Sequence, residues 1–179
     1  MDRLGTASHV VNKTPRLEHR FDELEELFQT TPPKYVYCVR NAFGVLKSIK
    51  NLPNLAWNVN TVETNLENYL SSLRQYDKIL RTAPDRVLMI NIDDLKKAPS
   101  NFSMYKKVFD LMGLLPVSET IQSSIDNMGA QNSMATVHKN IGLKADIINL
   151  SPDEVMEIAQ NVEYRNYATR FGLLLEPSY

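Results

Sequence analysis

The chain has 179 residues, of which 43% are hydrophobic and 23% are charged, and its formal net charge is -1. These values are ordinary for one globular domain with a substantial core. A nearly neutral chain is not a general polyanion binder, so we expect no nucleic-acid partner, although a few convergent donors could still bind one phosphate. No apolar run approaches the roughly 18 residues of a membrane span, and no signal peptide is predicted.

The first part of the chain predicts a short strand, a helix and a buried strand. Residues 9–13 have strand character, and apolar residues recur at helical spacing over residues 17–28. Residues 35–39 form a continuous apolar run, which is typical of a strand buried on both faces of a parallel sheet. Asn41 is then a candidate N-cap for a helix over residues 41–51.

The middle of the chain predicts two helices separated by a second buried strand. A helical pattern covers about residues 59–81, an apolar strand covers 86–91, and a further helix covers 102–112. Asp93 and Asp94 follow the strand. We interpret both as helix caps, with a role as catalytic acids as the alternative.

The last predicted helix begins at Ser151-Pro152-Asp153-Glu154, where Ser is the N-cap, Pro occupies the first helical position and Glu completes a capping box. It continues to about Phe171, with Val162 among the residues that face inward. Strands that alternate with helices indicate an α/β fold with a parallel sheet flanked by helices. We expect residues 1–179 to form a single domain.

Arg40 and Ser48 are the candidate anion-binding pair. In parallel α/β folds, ligands bind beyond the carboxyl ends of the strands, and Arg40 directly follows the most apolar predicted strand. Ser48 lies about two turns into the next helix. A guanidinium is a permanently charged fork for a phosphate, and a hydroxyl adds a neutral donor. The alternatives are a salt bridge at the strand end for Arg40 and a hydrogen bond to a helix carbonyl for Ser48.

The stretch Arg40-Asn41-Ala42-Phe43-Gly44-Val45-Leu46-Lys47-Ser48 resembles the R-D-P-x-x-x-x-x-S motif of sulfotransferases. In that family, the Arg and the Ser bind the 3′-phosphate of 3′-phosphoadenosine-5′-phosphosulfate (PAPS). Lys13-Thr14-Pro15 is similar to the family's K-[ST]-P segment, and residues 86–95 are similar to its "rvl…yEDL" strand and turn. Leu111-Met112-Gly113-Leu114 and Arg170-Phe171-Gly172-Leu173 resemble the ends of its later helices.

One family motif has no counterpart in the sequence. Sulfotransferases begin with a strand and a loop of the type P-[KR]-[ST]-G-[ST]-T, which binds the 5′-phosphosulfate. Gly5-Thr6-Ala7-Ser8 has a similar composition but no apolar strand before it, and it lies too close to Lys13. The resemblance therefore implies a partial sulfotransferase-like (P-loop-hydrolase-like) domain that is incomplete at its N-terminus.

The resemblance also implies roles for four other residues. Lys13 would stabilise charge on the departing phosphate, and His19 is a candidate base. Lys139 and Lys144 would add cationic contacts to the nucleotide from a late loop. The alternatives are a solvated lysine for Lys13 and a surface histidine for His19.

We therefore expect a sulfotransferase that moves a sulfuryl group from PAPS to a hydroxyl or amine of an unidentified acceptor. The alternatives are a catalytically impaired module that only binds nucleotide or takes part in assembly, and an unrelated α/β domain. No metal site is predicted, since the three histidines share no ligand spacing and Cys38 lies inside a strand. One cysteine allows no internal disulfide and fits a cytoplasmic protein, or a lumenal one if the chain is a fragment. A partial sheet would leave an edge open to homo-oligomerisation.

Overall fold

The computed structural model describes residues 9–52, 60–95, 100–115, 118–119, 121–123 and 148–175. Within these residues, two parallel strands form a small sheet flanked by helices. Strand β1 is Tyr35–Val39 and strand β2 is Val87–Asn91, with Tyr35 aligned to Val87 and Val39 to Asn91. The predicted α/β class with a parallel sheet is confirmed, and each strand lies within one residue of its predicted bounds.

The helices of the described residues follow the predicted order. They are α1 (Phe21–Leu27), α2 (Ala42–Lys50), α3 (Val62–Thr82), α4 (Ile92–Leu95), α5 (Ser100–Met112), α6 (Pro152–Gln160) and α7 (Val162–Phe171). Short 3-10 turns at Leu17–Arg20 and Pro84–Arg86 precede α1 and β2. The predicted caps Asn41 and Ser151 both accept a hydrogen bond from a backbone N–H three residues later, and Glu154 completes the capping box. None of these helices combines the length and the apolar character needed to cross a bilayer.

The larger hydrophobic core lies where α3 packs against α2, α6 and α7. Leu66, Leu70 and Leu73 are buried at steps of four and three along α3, as one face of a helix requires. Ile158 from α6 and Tyr164 from α7 are fully buried against the same cluster. Further buried members are Val39 at the end of β1 and Ala42, Phe43 and Leu46 on α2. The junction between β1 and α2 is thus built into the core.

The segment before α1 differs from its prediction, because residues 9–14 form no strand. Val10 and Val11 are 70% and 79% exposed. A strand is stable when a neighbour pairs with its backbone and one of its faces is buried. Among the described residues, no strand pairs with this segment and Val10 and Val11 stay exposed, so two adjacent β-branched residues are not enough to make it a strand.

The last predicted helix is divided in two at Asn161. The backbone of Asn161 is extended, with ψ 113°, and its side chain accepts a hydrogen bond from Tyr164 N as the N-cap of α7. Restarting the helix changes which residues face the core, so that Tyr164 is buried and Val162 is 72% exposed. The prediction that Val162 faces inward was wrong, because an Asn that caps a new helix was taken as a residue within a helix.

Candidate functional site

Arg40 occupies the place that the sequence predicts, at the carboxyl end of β1. It follows Val39 directly, and Asn41 after it is the N-cap of α2. The Arg40 carbonyl oxygen accepts a hydrogen bond of 2.8 Å from the Tyr69 hydroxyl on α3. The backbone of Arg40 is therefore held between the sheet and the longest helix of the described residues.

The guanidinium of Arg40 lies across the first turn of α2. Its Nε donates to Asp93 Oδ1 at 3.1 Å, and its Nη1 donates to the Gly44 carbonyl oxygen at 3.4 Å. Nη2 makes no hydrogen bond to any described residue, and 37% of the side chain is exposed. A charged donor with two free N–H bonds therefore remains available to a ligand.

Asp93 joins the ends of the two strands. Its Oδ2 accepts a 2.6 Å hydrogen bond from Asn41 Nδ2, while its Oδ1 faces Arg40. Burial alone would raise the pKa of this carboxyl, but the bonds from Asn41 and the charge of Arg40 outweigh burial, and the pKa is lowered. The interpretation of Asp93 as a helix cap needs correction: its carboxylate cross-links α4 to the β1–α2 junction.

Two backbone N–H groups in the first turn of α2, those of Ala42 and Gly44, already have hydrogen-bond partners. Gly44 N donates to Asn41 Oδ1 at 2.8 Å, and Ala42 N donates to the Tyr164 hydroxyl at 3.4 Å. That hydroxyl donates in turn to the Leu174 carbonyl oxygen. Burial raises the pKa of Tyr164 to about 12, so its phenol remains protonated and can donate. An anion at this end of α2 would therefore find the amides of Ala42 and Gly44 already bonded to side-chain oxygens.

Ser48 lies on α2 four residues after Gly44. Residues four apart are on the same face of an α-helix, one turn above each other. Since the Arg40 guanidinium lies against Gly44, Ser48 is on the face of α2 that carries the guanidinium. Arg40 and Ser48 thus lie along one face of α2, next to the carboxyl end of β1.

Lys13 and His19 lie in the segment that precedes α1. Both are exposed, and no hydrogen bond or ion pair joins either of them to Arg40. The nearest carboxylate oxygen to His19 is Glu18 Oε1, 3.7 Å from its Nε2. The structure therefore does not bring the two predicted catalytic residues into contact with the predicted binding pair.

Two side chains attach the Lys13–His19 segment to α3. Arg16 donates to Asn68 Oδ1 at 3.0 Å, and Glu18 accepts from Ser72 Oγ at 2.7 Å. Arg16 has φ 62°, which is the left-handed conformation and is uncommon for a residue other than glycine. Asn68 is adjacent to Tyr69, which binds the Arg40 carbonyl. The segment therefore approaches the turn of α3 that also supports Arg40.

The alternative given for Arg40, a salt bridge at the strand end, is present in the structure, with Asp93 as the partner at 3.1 Å. Sequence reasoning did not identify Asp93 as that partner, and it missed Gly44. The signal for Asp93 was present, because carboxyl ends of adjacent parallel strands meet at one edge and Asp93 follows β2 by two residues. Gly44 had a weaker signal, a helix-destabilising residue inside a predicted helix. The other two predicted ligands, Lys139 and Lys144, lie outside the described residues.

The described residues contain no cluster of three or more His, Cys, Asp or Glu side chains that could hold a metal ion. Comparison with known proteins found no matching family model, no similar curated protein and no similar solved structure.

Proposed function

We propose that the chain binds the 3′-phosphate of PAPS through Arg40 and Ser48, and that it acts as a sulfotransferase. The observation that carries this proposal is the shared helix face: the Arg40 guanidinium lies over Gly44, and Ser48 follows one turn later on α2. The free Nη2 of Arg40 offers a charge-assisted donor, and Ser48 offers a hydroxyl beside it. The spacing of this pair is also the part of the sequence that most resembles sulfotransferases.

In the proposed reaction, a sulfuryl group moves from the phosphosulfate to a hydroxyl or amine of the acceptor. The bond between sulfur and the bridging oxygen breaks, and its electron pair remains on the phosphate oxygen. A new bond joins sulfur to the acceptor atom, whose proton passes to a base. Alignment and charge stabilisation carry such a transfer, as in phosphoryl transfer.

Lys13 and His19 have the proposed chemical roles. The Lys13 ammonium stabilises the charge that grows on the departing phosphate oxygen, and His19 accepts the acceptor proton. What supports this assignment is that their segment packs on α3 beside Tyr69, which holds Arg40. Both side chains are exposed. In this proposal, the bound nucleotide and acceptor bring their reacting atoms to Lys13 and His19. Lys139 and Lys144 would add cationic contacts to the nucleotide.

A second candidate function is a nucleotide-binding or assembly module with impaired catalysis. The sequence has no loop of the type that holds the 5′-phosphosulfate in sulfotransferases. Losing even one backbone donor to a developing charge can cost about a hundredfold or more in rate. Transfer of labelled sulfate to a panel of acceptors distinguishes the two functions, because the module would bind nucleotide without turnover.

Calorimetry tests the binding claim. We expect the chain to bind adenosine 3′,5′-bisphosphate more tightly than adenosine 5′-phosphate, and we expect Arg40→Ala to remove most of this preference. The loss of one charge-assisted contact is worth about 1.5–3 kcal/mol, or roughly tenfold to more than a hundredfold. Ser48→Ala should have a smaller effect in the same direction, because a neutral donor is weaker.

Arg165→Ala is the matched control, since it removes an exposed arginine on α7 and should leave the preference unchanged. Equal affinity of the unaltered chain for the two nucleotides would contradict the proposal. So would an Arg40→Ala variant that keeps the full preference for the 3′-phosphate.

A further inference from the structure

The position of the Arg40 guanidinium depends on three neighbours, which we call the Arg40 seat: Asn41, Gly44 and Asp93. Asp93 accepts from Nε, the Gly44 carbonyl accepts from Nη1, and Asn41 Nδ2 holds the other oxygen of Asp93 at 2.6 Å. Two of the three guanidinium nitrogens therefore already donate hydrogen bonds to protein oxygens.

Gly44 provides the space for this arrangement. A Cβ atom at Gly44 would lie 2.6 Å from Arg40 Nε and 2.9 Å from Cζ, distances that folded proteins essentially never show. Glycine inside a helix is normally unfavourable relative to alanine. The close approach of Arg40 is a physical reason for a glycine at this position, because any larger residue would displace the guanidinium.

We propose that Gly44 and Asp93 are positioning residues, which fix the Arg40 guanidinium so that it meets a phosphomonoester end-on through Nη2. This inference rests on the proposed function, since it concerns how the same arginine reads the 3′-phosphate. Asp93 occupies Nε, so the side-on fork formed by Nε and Nη2 is not open to the ligand. The end of the guanidinium that carries Nη2 remains open to the ligand, and the Arg40 seat sets its direction.

Asp93 also determines the net charge around Arg40. The Arg40–Asp93 pair is neutral as a whole, so a phosphate gains directed hydrogen bonds at this position and little long-range attraction. The Arg40 seat therefore favours a ligand that binds through other groups as well and so holds its phosphate at Nη2. A nucleoside 3′-phosphate is such a ligand. Free inorganic phosphate should bind poorly.

A double-mutant cycle of Gly44→Ala and Arg40→Ala tests the seat without any ligand. In the Arg40→Ala background, Gly44→Ala meets no guanidinium and should raise Tm by about 2–4 °C through helix propensity. In the unaltered background, the same change must displace Arg40, so the gain should be absent or reversed. An equal Tm gain in both backgrounds would overturn the proposed role of Gly44.

Nucleotide binding by the same variants tests the positioning role. Gly44→Ala should reduce the preference for adenosine 3′,5′-bisphosphate over adenosine 5′-phosphate by about tenfold, the worth of one charge-assisted contact. Asp93→Ala should do the same, while Asp93→Asn, which keeps an oxygen acceptor, should lose less. Asp94→Asn is the matched control, because Asp94 is the next residue on α4 and makes no hydrogen bond to Arg40.

The outcomes separate the inference from the proposed function. If Arg40→Ala keeps the phosphate preference, the proposed function fails, and the Tm cycle still reports on the seat. If Arg40→Ala removes the preference but Gly44→Ala and Asp93→Ala keep it, the proposed function stands and the seat is overturned. An Asp93→Asn variant that binds more tightly than the unaltered chain would show that Asp93 competes with the ligand, which also overturns the positioning role.

Discussion

Arg40 and Lys13 are both cations proposed to contact one nucleotide, yet their surroundings differ. Arg40 follows a paired strand whose last residue, Val39, belongs to the larger core, and its guanidinium is held by Asp93 and the Gly44 carbonyl. Lys13 lies in a segment without secondary structure and is exposed. The contacts of Arg40 orient its guanidinium before any ligand binds, whereas exposed Lys13 would be oriented only by a bound ligand. We propose that Arg40 serves nucleotide binding and that Lys13 serves the chemical step.

The largest expected effect is on the larger core, which contains both Val39 and Leu73. Leu73→Ala should lower the free energy of unfolding by about 2–5 kcal/mol, because it removes a fully buried side chain and leaves a cavity. Val162→Ala, on the exposed start of α7, should change it by less than about 0.5 kcal/mol. Chemical denaturation monitored by circular dichroism measures both. Similar effects at the two positions would contradict the described packing.

The next effect distinguishes the two regions by kinetics. Lys13→Ala should lower kcat by about a hundredfold and change nucleotide affinity little, because its charge acts on the transition state. The measurement requires a preparation with turnover, and calorimetry on the same sample supplies the affinity. A Lys13→Ala variant that keeps its kcat, or that loses only nucleotide affinity, would show that Lys13 is a solvated surface residue and has no catalytic role.

A smaller effect concerns acid stability at the Arg40 region. The pKa of Asp93 is lowered from its ordinary value of 3.8, so its folded carboxylate stabilises the protein above that value. This stabilisation should be lost as the pH falls below about 4 and through the lowered pKa. Asp93→Asn should therefore be less stable than the unaltered chain near neutral pH, by about 1.5–3 kcal/mol.

The stability difference between the unaltered chain and Asp93→Asn should shrink as the solution is acidified. Denaturation curves at a series of pH values provide the test, with Asp94→Asn as the control. A difference that stays constant from neutral pH to pH 3 would show that Asp93 does not interact with Arg40 as a carboxylate.

The sequence predicted the parts of the fold that depend on local patterns. The apolar runs at β1 and β2 and the capping box at Ser151 all lie where periodicity and cap chemistry indicate. The division at Asn161 was missed, because the same residue can continue a helix or cap a new one, and burial of Tyr164 decides between them. Such a choice is tertiary and leaves no clear local signal.

The candidate site was likewise predictable from the sequence only in part. The position of Arg40 and Ser48 followed from strand order and helix spacing, which are regular and can be read from sequence. The contacts of Arg40 with Asp93 and Gly44 depend on how closely two strand ends and a helix approach each other. That approach is set by core packing between distant segments, and no pattern within either segment specifies it.

The most direct test of the central claim observes the Arg40 guanidinium itself. In protein labelled with 15N-arginine, NMR detects the side-chain N–H groups, and Arg40→Lys identifies the signals of Arg40. We predict that the Arg40 Nη signals shift on saturation with adenosine 3′,5′-bisphosphate and remain in place with adenosine 5′-phosphate. Arg40 signals that respond equally to both nucleotides, or to neither, would contradict the claim that Arg40 reads a 3′-phosphate.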